Sequence, residues 1–221
     1  MEPMNLENPC RELNSTVVVL LSILVLYGVG LTGCCGAYVP PPPPCPIASL
    51  FVDEALIPEP LVSLGSGDPS DRYGVEFEQI HFIHPQEYKG GKVRQVIYRA
   101  ENEWRAMRGY QNFVDTYFYV GQSFHCDDEE TIWDIPAAID FESSAADEWQ
   151  LGCTIGCTTH TQHCQYIGRY GVYFVWYYAW MSDVVTYTEF ENILEDIDSR
   201  MTQCLEQIEN EATATGTALV P

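Results

Sequence analysis

The last long segment of the chain carries apolar residues at the spacing of one helix face. Six of them recur at intervals of four, three, four, three and four residues, and acidic residues fill many of the positions between them. An amphipathic helix has that period. The six residues are Phe190, Leu194, Ile197, Met201, Cys204 and Ile208. Thr188 and Glu191 have the T-x-x-E spacing of a capping box, which predicts that the helix begins beside them.

A second amphipathic helix is predicted over about residues 102–118. Its apolar positions Ala106, Tyr110, Phe113 and Tyr117 follow one another at intervals of four, three and four residues. These positions share one face of a helix, so the segment has an apolar side to bury.

Several other segments have the alternation or the β-branched and aromatic content of strands. They are residues 75–84, 93–98, 149–153, 163–167 and 172–180. The last of them is apolar on both faces, which is typical of a central strand covered on both sides. Residues 65–70 are turn formers and are predicted to form a loop, and residues 132–141, interrupted by Pro136, an irregular edge. Runs of strands flanked by two helices favour an α+β fold, an antiparallel sheet with both helices packed on one face.

The N-terminal part of the chain reads as a targeting segment. Residues 15–33 are uncharged and apolar, long enough for an export signal or for one membrane span. They end at Leu31-Thr32-Gly33-Cys34, which resembles the lipobox of bacterial lipoproteins, where a peptidase cuts before a cysteine that carries diacylglycerol. The preceding segment has Arg11 against three acids, whereas export signals prefer a positive start. An uncleaved single-span anchor is therefore the alternative, and both alternatives place the rest of the chain outside the cell.

Four parts are predicted along the chain. Residues 1–33 are a lipoprotein signal peptide, and residues 34–46 are the lipidated Cys34 with a proline-rich tether that contains five consecutive prolines. Such a run favours the stiff polyproline II conformation. Residues 47–208 form the α+β domain, and residues 209–221, which are small, polar and aperiodic, form a disordered tail.

The charge of the chain narrows its choice of partners. The 32 acidic and ten basic residues give a formal net charge of −22. Such a surface repels phosphate backbones, which argues against nucleic-acid binding. The expected partners are the membrane, through lipid on Cys34, and a protein of the membrane or the envelope.

The nine cysteines point to disulfides, because oxidised cysteines are the rule outside the cytoplasm. Cys10 and Cys34 aside, seven remain, at positions 35, 45, 126, 153, 157, 164 and 204. Cys153 and Cys164 lie symmetrically about the loop of a predicted hairpin and are expected to pair. Cys126 with Cys157 follows by elimination. Cys204 lies on an apolar helix face, where it is interpreted as a small buried hydrophobic residue.

Two other readings of these segments stay open. The set Cys153, Cys157, His160, His163 and Cys164 could hold zinc, although its spacing matches no common zinc ribbon. In the aromatic strand, Tyr173, Trp176 and Tyr178 could form a ligand or partner surface instead of core. We favour disulfides and core, and we expect no metal and no cofactor.

Short blocks of the domain resemble a known family. They are Leu50-Phe51-Val52 with Ile57-Pro58, Ala146-Asp147-Glu148 before Cys153, Cys164 before Arg169-Tyr170-Gly171, and Tyr187-Thr188 before Ile197-Asp198-Ser199-Arg200-Met201. Over residues 47–205 the chain is similar to the extracellular sensor-type domain of actinobacterial Ser/Thr kinases and of related lipoproteins. The resemblance implies an antiparallel sheet with two helices on one side, disulfides, and ligand sensing or protein contact instead of catalysis.

The sequence also lacks the loops of common catalytic sites. It has no glycine-rich phosphate loop and no nucleophile elbow. We therefore expect a non-catalytic binding or sensor-like domain, anchored on the outer face of the cell membrane. An accessory subunit of a respiratory or photosynthetic membrane complex is the alternative, and a hydrolase or metal enzyme is the least favoured reading.

Overall fold

The structure, a computed structural model, describes residues 45–71, 76–86, 91–119, 133–156 and 160–214. All of them belong to the unit Pro41–Pro221. The predicted signal segment, Cys34 and the proline run lie outside these residues. No helix within the described ranges is both long enough and apolar enough to cross a bilayer.

Six strands form one sheet in which every pairing is antiparallel. The elements in chain order are β1 (Val62–Asp71), β2 (Glu76–Ile83), β3 (Lys92–Arg99), α1 (Glu103–Val114), β4 (Glu148–Ile155), β5 (Gln162–Tyr170), β6 (Tyr173–Trp180) and α2 (Tyr187–Ala214). Across the sheet the order is β1-β2-β3-β6-β5-β4. The α+β class with an antiparallel sheet is therefore confirmed, and β6 is a central strand as predicted.

The two helices cover opposite faces of this sheet, so the prediction that both pack on one face is wrong. Tyr173, Val175 and Tyr177 of β6 belong to the core formed with α2. The residues between them, Phe174 and Trp176, belong to the core formed with α1. The sequence of β6 explains this arrangement, because a strand that is apolar on both faces needs a packing layer on each face of the sheet.

Helix α2 begins two residues earlier than the sequence predicts. The capping box is formed by Thr186 and Glu189, not by Thr188 and Glu191. The Glu189 carboxylate accepts from the Thr186 N–H at 3.1 Å, and the Thr186 hydroxyl accepts from the Glu189 N–H at 3.4 Å. Glu191 instead accepts from the backbone N–H of Asp140. Two overlapping T-x-x-E patterns occur here, and the apolar period fits both.

The same helix continues past its predicted end. Residues 209–214 are helical and Ala212 is buried, so the prediction of a disordered tail is wrong for this part. Its Glu and Ala residues are strong helix formers and extend the helix without a periodic apolar signal.

Helix α1 agrees with its prediction. The Asn102 side chain caps it by accepting from the Arg105 N–H at 2.9 Å, and a π-helical turn, Asp115–Tyr119, prolongs it. The predicted loop at residues 65–70 is instead part of β1, which pairs with β2 in an irregular register. Gly65, at φ +90°, lets the strand pass through this irregularity. The predicted irregular edge pairs along β4, where Asp134 bridges Cys153.

Candidate functional site

The structure joins Cys153 of β4 to Cys164 of β5 in a disulfide, as the sequence predicts. The two residues are direct partners in the antiparallel register. Both are buried in the core formed with α2. The bond therefore closes the β4–β5 hairpin from inside the core.

A second disulfide joins Cys45 to Cys204, and sequence reasoning missed it. Their Cα atoms lie 5.9 Å apart and the bond spans 159 residues of chain. Cys45 is buried next to Ile47 and belongs to the core, so the predicted tether ends before this residue. Cys204 is a bonded cysteine, not the small hydrophobic residue that we expected. Cys126 and Cys157 lie outside the described residues.

The structure contradicts the hypothesis that the cysteine–histidine set holds zinc. The sulfurs of Cys153 and Cys164 are bonded to each other, so they are not thiolate ligands. The ring of His163 lies on the opposite face, where its Nδ1 is 2.7 Å from the Tyr178 hydroxyl. Within the described ranges, no group of three or more His, Cys, Asp or Glu side chains is placed to hold a metal ion.

Tyr173, Trp176 and Tyr178, some of which could belong to a ligand or partner surface, do not share one face of the sheet. All three side chains are buried, at 0%, 6% and 7% exposure. Tyr173 lies on the α2 face and donates a hydrogen bond to the Cys45 carbonyl. Burial raises the pKa of the Tyr173 hydroxyl to about 12. Trp176 and Tyr178 lie on the α1 face, because successive strand residues alternate between faces.

The α1 face holds a group of basic side chains, which we call the basic patch: His81, Lys92 and Arg94. His81 of β2 is the direct partner of Arg94 in β3, and Lys92 lies two residues before Arg94 on the same face. Direct cross-strand partners have Cβ atoms about 4.5–5.5 Å apart. The register therefore holds three nitrogen-bearing groups together on a stiff support, and each side chain is partly exposed.

Aromatic rings support the two cations from one side. The Arg94 guanidinium carbon lies 5.0 Å from the centre of the Trp176 ring, and the Lys92 ammonium 5.6 Å from that of Trp180. Cations at this distance are attracted by the ring faces. The rings are fixed in turn, since Trp176 donates to Gln165 at 3.2 Å and Trp180 donates to the Tyr178 hydroxyl.

The patch has no acidic partner among the described residues, although the chain is strongly acidic. Among the residues that the structure describes, no carboxylate pairs with Lys92 or Arg94, and Arg94 binds only the neutral Gln79, at 2.6 Å. In contrast, Arg99, Arg105, Arg169 and Arg200 each form an ion pair with Asp or Glu. The absence is local, because carboxylates serve as partners elsewhere on the same sheet.

Two nitrogen atoms of the patch, His81 Nε2 and Arg94 Nε, are buried without a hydrogen-bond partner within the described ranges. Burial, with Arg94 and Lys92 nearby, lowers the pKa of His81 to about 4. Burial and then Arg94 also lower the pKa of Lys92. The fold thus holds positive groups close together and leaves part of their hydrogen-bonding capacity unused.

No protein-family model and no curated protein matches the chain. The site is therefore interpreted from its own chemistry. Two cations and an imidazole on an aromatic floor can bind a negative group. The alternation of Lys92, Val93 and Arg94 was visible in the sequence, but the register with His81 and the lack of acids nearby were not.

A cavity lies beside α2, and its lining is mainly acidic and hydroxyl-bearing, unlike the basic patch. This cavity of about 310 Å³ is lined by Asp140, Phe141, Glu142, Ser144, Glu195, Asp198, Ser199 and Thr202. Asp198 is buried and its carboxylate accepts from the Ser143 hydroxyl, from Ser144 and from the Tyr170 hydroxyl at 3.1 Å. Because its oxygens are occupied, this carboxylate ties the loop 143–144 to the core.

Proposed function

We propose that the chain is a non-catalytic binding domain, attached to the outer face of the cell membrane by lipid on Cys34. The observation that carries the proposal is the pair of buried disulfides, Cys45–Cys204 and Cys153–Cys164. Disulfides of this structural kind form and persist in oxidising compartments and are rare in the cytosol. An exported chain needs a targeting segment, and the apolar residues 15–33 before Cys34 meet that need.

The binding role is supported by the basic patch. Unpartnered cations on a rigid sheet destabilise a fold slightly and are typical of sites that meet a ligand. Aromatic rings hold Lys92 and Arg94 as donors for a negative group, and Cys153 and Cys164 are held as a disulfide and supply no thiolate. A role in binding or sensing therefore fits these groups better than catalysis of a reaction.

Intact-mass measurement on protein from the membrane fraction tests the address. We expect a chain that begins at Cys34 with diacylglycerol attached and with both disulfides formed. Cys34→Ser should leave the precursor uncut, and Cys10→Ser is the matched control that should be processed normally. Residues 1–33 still present in the wild-type protein would favour the uncleaved single-span anchor. Free thiols at Cys45 and Cys204 in freshly isolated protein would contradict an oxidising address.

Purification in mild detergent tests the role. A binding domain is expected to elute alone or with substoichiometric partners. Elution in a fixed ratio with the subunits of one membrane complex would overturn the proposal in favour of an accessory structural subunit.

A further inference from the structure

We propose that His81, Lys92 and Arg94 bind a small soluble molecule through its oxyanion group, a phosphate or a carboxylate. The proposal rests on the proposed binding function and names the chemical class of the ligand. The three side chains belong to two neighbouring strands and share one face of the sheet.

The geometry suits an oxyanion because its donors are fixed before the ligand arrives. Arg94 is held over Trp176 and by Gln79, and Lys92 is held over Trp180. Each side chain has therefore already lost much of its freedom, which reduces the entropy lost on binding. Arginine and lysine donors to phosphate or carboxylate form strong, charge-assisted hydrogen bonds.

The charges of the patch point to the same ligand class. Lys92 and Arg94 lie two residues apart on one face of β3, and neither pairs with a carboxylate in the part of the chain that the structure describes. An oxyanion accepts several hydrogen bonds at once, so a single bound group can accept from both side chains and neutralise the repulsion between them.

The net charge of the chain favours a small ligand over an anionic membrane or a polyanion. At −22 the whole protein repels extended negative surfaces. Screening limits that repulsion to about 8 Å at physiological salt. A small anion that reaches the patch therefore meets mainly the local positive field, whereas a vesicle meets the charge of the entire face.

Side-chain NMR of the histidines in the lipid-free mature chain, residues 35–221, with both disulfides formed, tests the site. Inorganic phosphate and succinate are titrated separately at pH 7, with sodium chloride at matched ionic strength as the blank. We expect a saturable shift of the His81 ring signals with phosphate or with succinate, and no saturable shift with chloride. Vesicles of phosphatidylglycerol should give neither a His81 shift nor co-sedimentation.

Variants distinguish the patch from general charge. Arg94→Met and, separately, Lys92→Gln should weaken binding about tenfold or more, the loss of one hydrogen bond to a charged group. Arg105→Met is the matched control, because Arg105 already pairs with Glu101 on α1, and its affinity should not change. Spectra of the variants report whether they fold, and Lys92→Gln keeps the test valid if Arg94→Met does not.

Three outcomes would overturn the proposal. They are no saturable His81 shift with either anion, an unchanged affinity in both patch variants, and binding to vesicles alone. None of them affects the mass of the processed chain or its disulfides, so failure here is distinguishable from failure of the proposed function.

Discussion

The two faces of the sheet solve the problem of burial in different ways. On the α2 face, several polar groups within the core are hydrogen-bonded, although the Tyr177 hydroxyl is buried without a partner among the described residues. Gln95 binds the Val52 N–H at 2.9 Å and the Leu50 carbonyl, and Asp198 has three residues as donors. Both disulfides lie on this face. On the α1 face, Lys92 and Arg94 have no acidic partner among the described residues.

This difference between the faces predicts that their polar and charged groups have different roles, in stability on one face and in binding on the other. The disulfides and the hydrogen-bonded polar groups of the α2 face hold the fold, and a change to them acts on folding. The unpaired cations of the α1 face lie at the edge of an aromatic core and add little to stability, so a change to these cations acts on recognition. Side chains of β3 and β6 alternate between the two faces, so neighbouring residues of one strand should respond in different ways to substitution.

The largest effect is expected from the longer disulfide on the α2 face. Replacing Cys45 and Cys204 together by Ser should lower the free energy of unfolding by about 5 kcal/mol, because the bond restrains a long loop in the unfolded chain. The Cys153–Cys164 bond closes a short loop, so the matched double variant Cys153→Ser with Cys164→Ser should lose about 3 kcal/mol or less of its free energy of unfolding. Denaturant melts measure both, and equal losses would contradict this ranking. A reductant should lower the melting temperature and a chelator should not.

The next effect concerns the packing of α2. Ile197 is fully buried against the sheet, so Ile197→Ala should lower the free energy of unfolding by about 2–5 kcal/mol. Glu195 is exposed on the same helix, and Glu195→Ala should stay within about 0.5 kcal/mol. Similar losses in urea melts would show that this face does not carry the core.

The satisfied carboxylate gives a medium effect. Asp198→Ala leaves the donors at Ser143, Ser144 and Tyr170 without their common acceptor, and about 1–3 kcal/mol should be lost. Glu206→Ala, at an exposed position of α2, is the control and should change little. An unaltered melting curve for Asp198→Ala would mean that the loop is not held by this carboxylate.

The histidines of the α1 face should make stability depend on pH. Burial, with Lys92 nearby, lowers the pKa of His163 to about 4, as for His81 against an ordinary 6.5. Between pH 6.5 and 4 the unfolded chain binds more protons than the folded chain. The histidine contribution is therefore fully present above pH 6.5 and is lost as the pH falls to 4.

This contribution can be isolated by removing both rings. The slope of unfolding free energy against pH in that window should be smaller for the double variant His81→Gln with His163→Gln than for the wild type. Parallel curves for the two proteins would contradict the prediction.

The smallest effect should come from the patch itself. Lys92→Met removes a cation that has no acidic partner among the described residues, so stability should stay within about 0.5 kcal/mol or rise. Arg169→Met is the contrast, because it breaks pairs with Asp147 and Glu148 and should lose up to about 1 kcal/mol. A larger loss for Lys92 than for Arg169 in thermal melts would contradict the inference that the Lys92 charge contributes less to stability than a paired cation.

The parts of the fold that sequence could predict are those with a local signal. The period of residues 190–208 predicts α2, and the symmetric cysteines predict the β4–β5 hairpin with its disulfide. Local signals fail where distance along the chain matters. Nothing near Cys45 indicates that Cys204 is its partner, 159 residues later, and the face on which α1 packs depends on its crossover.

The basic patch could not be predicted from the sequence for a related reason. His81 meets Arg94 only through the β2–β3 register, and a one-residue shift in that register would turn the imidazole to the other face. The lack of an acidic neighbour is a property of three-dimensional placement, not of composition. The acidic composition of the chain gives no sign that its few cations meet in one place.

The bond between Cys45 and Cys204 also determines how the domain bears mechanical load. A pull from the N-terminal side enters the domain at Cys45 and passes through a covalent bond into α2. All six strands lie between these two cysteines in the chain, so the pull does not unzip the sheet from β1. A protease that cuts once between the two cysteines likewise leaves both fragments joined. The sheet is bypassed by such a load, and a singly cut domain stays in one piece, for as long as that one bond stays oxidised.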